Sequence, residues 1–152
     1  RGRGRGYGRV LRFDATGKFI TSWGGKGTAP GQFDQPHAIL VNAQNQVLVG
    51  DRENRRVQIF DMNGRFLTSW KFNGLPCGLH QGPDGQWYLA TGFSGQILRL
   101  NKDGKAIAMM GQPGPGPTLG NFGEAHYLAM APNSDIYVAD TINATLHRFV
   151  KK

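Results

Sequence analysis

Residues 31–41 read Gly-Gln-Phe-Asp-Gln-Pro-His-Ala-Ile-Leu-Val, residues 46–60 read Gln-Val-Leu-Val-Gly-Asp-Arg-Glu-Asn-Arg-Arg-Val-Gln-Ile-Phe, and residues 63–70 read Asn-Gly-Arg-Phe-Leu-Thr-Ser-Trp. These runs are rich in β-branched and aromatic residues, and Asn, Gly and Asp separate them. The stretch therefore predicts four short strands, at Pro36–Val41, Gln46–Asp51, Arg56–Phe60 and Arg65–Trp70. Asn63-Gly64 is a strong signal for a hairpin between the last two strands.

The pattern of the third strand recurs along the chain. It appears at four places that are 47, 40 and 49 residues apart, namely Val10–Phe13, Val57–Phe60, Ile97–Leu100 and Leu146–Phe149. A turn that ends in glycine follows each of the first three. Four strands on a period of about 40 to 50 residues are typical of a β-propeller blade. The sequence therefore predicts an all-β propeller.

The repeats divide one propeller domain into unequal parts. These are a basic Gly-rich tail at 1–8, the outer half of a blade at 9–24, blades at 25–70 and 71–111, and a blade lacking its last strand at 112–152. About three and a half blades result, whereas rings usually have four to eight. A half-ring would expose blade faces and strand edges. We therefore expect another chain or a missing segment to complete the propeller.

Equivalent positions at the start of the innermost strands carry His37, Cys77 and His126. Innermost strands surround the central channel of a propeller, so these side chains are expected to point toward a shared axis. Three imidazoles with an open fourth position form a catalytic zinc arrangement, and a third histidine would have to come from outside this chain. The alternative is that His37 and His126 line the channel and bond to the backbone. Cys77 is interpreted as a small buried filler rather than a ligand.

Two motifs resemble those of NHL-repeat propellers: Gly-Gln-Phe-x-x-Pro-His at 31–37 and Asp-Arg-Glu-Asn-x-Arg-Val-Gln-x-Phe at 51–60. From about Tyr7 to Phe149 the chain resembles in particular the peptidyl-α-hydroxyglycine α-amidating lyases, or peptidylamidoglycolate lyases, and their bacterial relatives. This resemblance implies a carbon–nitrogen lyase that cleaves a peptide substrate, peptidyl-α-hydroxyglycine, to peptide amide and glyoxylate. It also implies zinc bound by His37 and His126, and a secreted or periplasmic location, although the chain carries no export signal.

Three further residues gain or lose a role through the resemblance. Arg52 matches an arginine that holds the substrate's carboxylate, which suits a planar guanidinium. The alternative is that Asp-x-x-Asn-x-Arg is common in NHL repeats that have no enzymatic activity. Tyr7 resembles a catalytic tyrosine, in a segment that is shortened here; the alternative is an ordinary exposed or packing tyrosine. Tyr127 stands where relatives have an aspartate, which puts the family's calcium site in doubt.

The chain is strongly basic, with a formal net charge of +8 and a pI near 10.1. Such a charge favours anionic partners. Arg1, Arg3, Arg5 and Arg9 alternate with glycines, which predicts a solvated tail or, alternatively, an arm that contacts RNA. The competing function is therefore a non-catalytic NHL scaffold that binds protein or RNA. No apolar run approaches the ~20 residues of a membrane span, and the single cysteine excludes an intrachain disulfide.

The scaffold interpretation makes a prediction about the tail. Deleting residues 1–8 removes three arginines, and each phosphate contact with single-stranded RNA contributes about 0.7 to the slope of log K against log salt. The deletion should therefore weaken RNA binding and reduce that slope by about 2, as measured by filter binding. Binding that is absent or independent of salt would exclude RNA as a partner.

Overall fold

The computed structural model describes residues 8–150, which form fifteen strands. In chain order the strands are β1 Arg9–Phe13, β2 Phe19–Gly24, β3 Pro36–Val41, β4 Val47–Asp51, β5 Arg56–Phe60, β6 Phe66–Lys71, β7 Gly78–Gln81, β8 Trp87–Ala90, β9 Ile97–Leu100, β10 Ala106–Met110, β11 Gln112–Pro113, β12 Asn121–Phe122, β13 Ala125–Met130, β14 Ile136–Asp140 and β15 Thr145–Phe149. None of residues 8–150 lies in a helix that is long and apolar enough to cross a membrane.

The strands form antiparallel sheets in chain order. β3–β6 and β7–β10 are four-stranded, β1–β2 is two-stranded and β13–β15 is three-stranded. The dipeptide strands β11 and β12 pair in parallel across the Pro-rich crossover. The four strands predicted between residues 31 and 70 occur with each boundary within one residue. The prediction of a propeller made of four-stranded blades is confirmed.

The middle strands β4 and β8 are buried on both faces because their alternate residues enter different cores. On β4, Leu48 packs with Leu89 of β8, whereas Val47 and Val49 pack with Val10 of β1. Trp87 and Leu89 of β8 likewise enter the core shared with β3–β6, whereas Tyr88 and Ala90 enter the core shared with β13–β14. The period of two along a strand thus distributes side chains to both neighbouring sheets. The innermost strands β3, β7 and β13 lie beside one another as a result.

Two hairpin turns, each covered by a tryptophan of the preceding blade, join neighbouring blades at the outer rim. Gly64, between β5 and β6, has φ of 88°, and an added Cβ would lie 2.5 Å from the indole of Trp23 on β2. Gly104, between β9 and β10, has φ of 75°, and its Cβ would lie 2.1 Å from the indole of Trp70 on β6. The glycines are needed both for the left-handed turn and for the indole that covers it. We call these two pairs the tryptophan–glycine contacts.

A buried carboxylate organises the inner end of the β3–β6 blade. Asp51, the last residue of β4, is fully buried. Its Oδ1 accepts the backbone N–H of Asp34 at 2.7 Å. Its Oδ2 accepts Nε–H of Arg56 at 2.7 Å and the side-chain amides of Asn54 at 2.8 Å and Gln58 at 3.1 Å. One side chain therefore ties the loop before β3 to the turn after β4 and to β5.

Asp51→Asn should lower the free energy of unfolding by about 3 kcal/mol, because it leaves the buried Arg56 guanidinium without its counter-charge. Urea denaturation at pH 7 measures the change. The control is Asp103→Asn, which removes an exposed carboxylate in the β9–β10 turn and should change stability by less than about 0.5 kcal/mol. Equal effects of the two substitutions would show that Asp51 does not organise the blade.

Candidate functional site

Both candidate histidines occupy β-bulges at the inner ends of their blades. Pro36 pairs with Asp51 and Ala38 with Gly50, so His37 is an extra residue between them. In the same way His126 is the extra residue between Ala125 and Tyr127, which pair with Asp140 and Ala139. A bulge re-aims the side chain of the additional residue, and bulges are frequent next to functional sites. The repeated spacing in the sequence thus corresponds to a repeated backbone irregularity.

The two bulges bring their imidazoles together. Nε2 of His37 lies 2.9 Å from Nε2 of His126, and the ring centroids are 4.7 Å apart at an angle of 78°. The Tyr127 ring lies beside them, with its centroid 4.7 Å from that of His126. Burial, and then the nearby His126 and Arg52, lower the pKa of His37 from its ordinary value. Within residues 8–150 the buried Nδ1 of His126 has no hydrogen-bond partner.

Arg52 lies close by and has a carboxylate at each terminal nitrogen. Its Nη1 contacts Glu53, and its Nη2 lies 3.3 Å from Oε1 of Glu124. The guanidinium also covers the Phe93 ring at 5.6 Å from the centroid. The Arg52 side chain is only 13% exposed, and its buried Nε lacks a partner among the described residues. The β3–β6 and β13–β15 blades are therefore joined across the site by an ion pair.

Glu124 is fixed by the end of its own blade. Its Oε2 accepts the hydroxyl of Thr141 at 2.5 Å, and its N–H donates to Oδ1 of Asp140 at 3.0 Å. Burial alone would raise the pKa of Asp140, but N–H donors from Glu124, Asn143 and Gly123 lower it below the usual value. Asp140 therefore remains an ionised acceptor that holds the segment carrying Glu124 and His126.

Cys77 fills the same position in the β7–β10 blade. Its side chain is fully buried, as predicted for a filler. Burial raises the pKa of the thiol, although the neighbouring Arg52 opposes the rise. A Cβ on Gly92 would lie 2.9 Å from Sγ, so the thiol occupies the space that a side chain at Gly92 would need. Within residues 8–150, no group of three or more His, Cys, Asp or Glu side chains is arranged to hold a metal ion.

The sequence reasoning singled out His37, His126 and Arg52, which the fold brings together, and Tyr7, which lies outside the described residues. It missed Glu124 and Thr141. The repeats align Glu124 with Gln35, two residues before each histidine, and Thr141 with Arg52, directly after each aspartate. This alignment marks both positions as lying near the histidines, but it does not show that Glu124 meets Arg52.

A family model, DUF5128, described as a 6-bladed beta-propeller, matches residues 6–98, more than half of the chain. The chain belongs to this propeller family. Its fold agrees with that of a protein of unknown function from Bacteroides caccae (TM-score 0.69, 19% identity) over 87% of this chain and 48% of that one. It also agrees with inactive virginiamycin B lyase from Staphylococcus aureus (TM-score 0.66, 16% identity) over 94% and 48%. At these identities the agreement concerns the fold alone.

Curated relatives match shorter segments of this propeller. Mouse peptidyl-glycine alpha-amidating monooxygenase is 49% identical over 55 residues, which are 33% of this chain and 6% of that protein. Mouse E3 ubiquitin-protein ligase TRIM32 is 44% identical over 41 residues, which are 27% of this chain and 6% of that protein. The chain thus spans about half of the solved structures and a small part of the curated relatives.

The burial and raised pKa of Cys77 predict an unreactive thiol. In the native protein at pH 8, Ellman's reagent should label Cys77 far more slowly than in urea, because the thiolate is scarce and enclosed. The matched control is Asp103→Cys, whose added thiol in the exposed β9–β10 turn should react at once. Rapid labelling of Cys77 in the native protein would show that its thiol is not buried.

Proposed function

We propose that this propeller belongs to a zinc-dependent lyase that cleaves peptidyl-α-hydroxyglycine to a peptide amide and glyoxylate. The observation that supports it best is the 2.9 Å approach of Nε2 of His37 to Nε2 of His126 from equivalent bulges. Arg52 beside this pair, and the 49% identity to a peptidyl-glycine alpha-amidating monooxygenase over 55 residues, agree with the same proposal.

The two imidazoles fit as part of a zinc site. Ligand nitrogens at 2.0–2.1 Å from a tetrahedral ion lie about 3.3 Å apart, so the rings would need to separate by only a few tenths of an ångström. The lowered pKa of His37 favours the neutral imidazole that binds metals. Zinc, when bound, would polarise the hydroxyl oxygen of the substrate. A third imidazole would come from the rest of the ring.

The chain's own residues would bind and orient the substrate. Arg52 would hold the carboxylate of the hydroxyglycine unit, and the nearby rings of Phe93 and Tyr127 would cover its backbone. Loss of the hydroxyl proton allows the new carbonyl to form while the carbon–nitrogen electron pair leaves with the amide nitrogen, which gains a proton. Tyr7 remains the proposed base. Zinc is the only metal in this proposal, because Tyr127 replaces the aspartate of the calcium site.

A second candidate is a non-catalytic NHL scaffold that binds protein or RNA. The 44% identity to TRIM32 over 41 residues favours it, since that relative is a ubiquitin-protein ligase rather than a lyase. On this alternative the two histidines form a structural pair, in which one Nε2–H donates to the other ring nitrogen.

Metal analysis of the complete ring separates the two candidates. The lyase proposal expects one zinc per ring, which His37→Ala or His126→Ala should remove by deleting a ligand. His80→Ala is the matched control and should retain the metal, because His80 lies three residues beyond the position of Cys77 on β7. Absence of zinc in the parent, or unchanged zinc in both ligand variants, would exclude the lyase and favour the scaffold.

A further inference from the structure

The two carboxylates on Arg52 differ in how firmly they are held. The Glu124 side chain is 11% exposed, and Thr141 and Asp140 fix its carboxylate and its backbone. The Glu53 side chain is 36% exposed and sits in the turn between β4 and β5. Its backbone N–H donates to the carbonyl of Asp34, and among the described residues Arg52 is the one partner of its carboxylate. Glu124 is therefore a fixed partner and Glu53 an adjustable one.

A ligand carboxylate would have to meet Arg52 at the terminal nitrogen that Glu53 now occupies. A guanidinium has five N–H donors, but the Nε of Arg52 is enclosed, Cys77 lies beside the side chain, and Nη2 faces the fixed Glu124. A partly exposed ion pair such as Arg52–Glu53 contributes little stability, because water solvates both partners when it opens. A ligand can therefore replace Glu53, the carboxylate nearer to solvent, at a low cost in free energy.

Charge then sets a condition on binding. Two carboxylates face one guanidinium, so an incoming anion meets a net negative charge while Glu53 is in place. Rotation of Glu53 into water removes one negative charge and frees Nη1, whereas release of Glu124 would leave a buried carboxylate without its cation.

We infer that Glu53 is a displaceable stand-in for the carboxylate of the ligand, and that Glu124 is a positioning residue that keeps Arg52 in place. This inference rests on the proposed function, in which Arg52 holds the carboxylate of the substrate. It adds that the substrate carboxylate reaches Arg52 by replacing Glu53. The site accordingly binds small N-acylated amino-acid carboxylates more weakly than it would if Glu53 did not occupy Arg52. Competition by the Glu53 carboxylate sets the difference in affinity.

The test measures binding of hippurate, an unreactive N-acylglycine, to the full chain by calorimetry without metal. Glu53→Gln should tighten hippurate binding by up to about fivefold, the effect of releasing a surface ion pair. It should not affect hippuramide, which lacks the carboxylate. Asp103→Asn is the matched control for lost negative charge and should leave hippurate affinity unchanged.

Glu124→Gln distinguishes exchange from a general effect of charge. If Glu124 positions Arg52, this variant should not tighten hippurate binding and should weaken it. Thr141→Val, which frees Glu124 without changing charge, should also weaken binding and serves if Glu124→Gln fails to fold, as judged by circular dichroism.

The inference is overturned if Glu53→Gln fails to tighten binding, if Glu124→Gln tightens it equally, or if hippurate does not bind either protein. These outcomes are independent of zinc. If the complete ring lacks zinc but the carboxylate exchange is measured, the lyase proposal is wrong and the inference about Glu53 stands. If the ring binds zinc but no exchange is measured, the inference is wrong and the lyase proposal stands.

Discussion

The β3–β6 and β7–β10 sheets carry apolar side chains on both faces of their middle strands, and the need to bury both faces determines the rest of the structure. An isolated four-stranded sheet with Leu48 on one face and Val47 and Val49 on the other would expose one apolar surface whichever way it packed. Stacking sheets face to face satisfies both surfaces. Since twisted sheets cannot stack in a straight column, successive blades rotate about a common axis and their first strands converge.

Convergence alone does not make a site. The inner strands are hydrogen-bonded on their outer edge, and side chains in regular register would enter the cores between blades. The bulges at His37 and His126 break that register, and buried Asp51 and Asp140 hold the segments on which they lie. The two aspartates thus stabilise backbone segments that the hydrogen bonds between strands would not hold. The imidazoles of His37 and His126 meet because two blades contain the same β-bulge.

The fold could be predicted because its signals are local. The Asn63-Gly64 turn, the alternation along β4 and the period of the repeats depend on residues close in sequence. Equivalence of repeats also located His37 and His126, since one blade's geometry applies to the next. The ion pair between Arg52 and Glu124 was not predicted because it joins positions 72 residues apart that are not equivalent in the repeats. No periodicity relates such positions, and only the curvature of the ring determines that they meet.

The tryptophan–glycine contacts have an evolutionary consequence. The β3–β6 blade supplies the Trp70 indole to the blade that follows and the bare Gly64 turn to the strands that precede it, so both halves of the joint are encoded within this one repeat unit. Duplication of such a unit creates a matching joint on both sides without a compensating change elsewhere. A gene built in this way can lengthen or shorten its ring one blade at a time, and the number of blades can drift while the chemistry at the hub is selected separately.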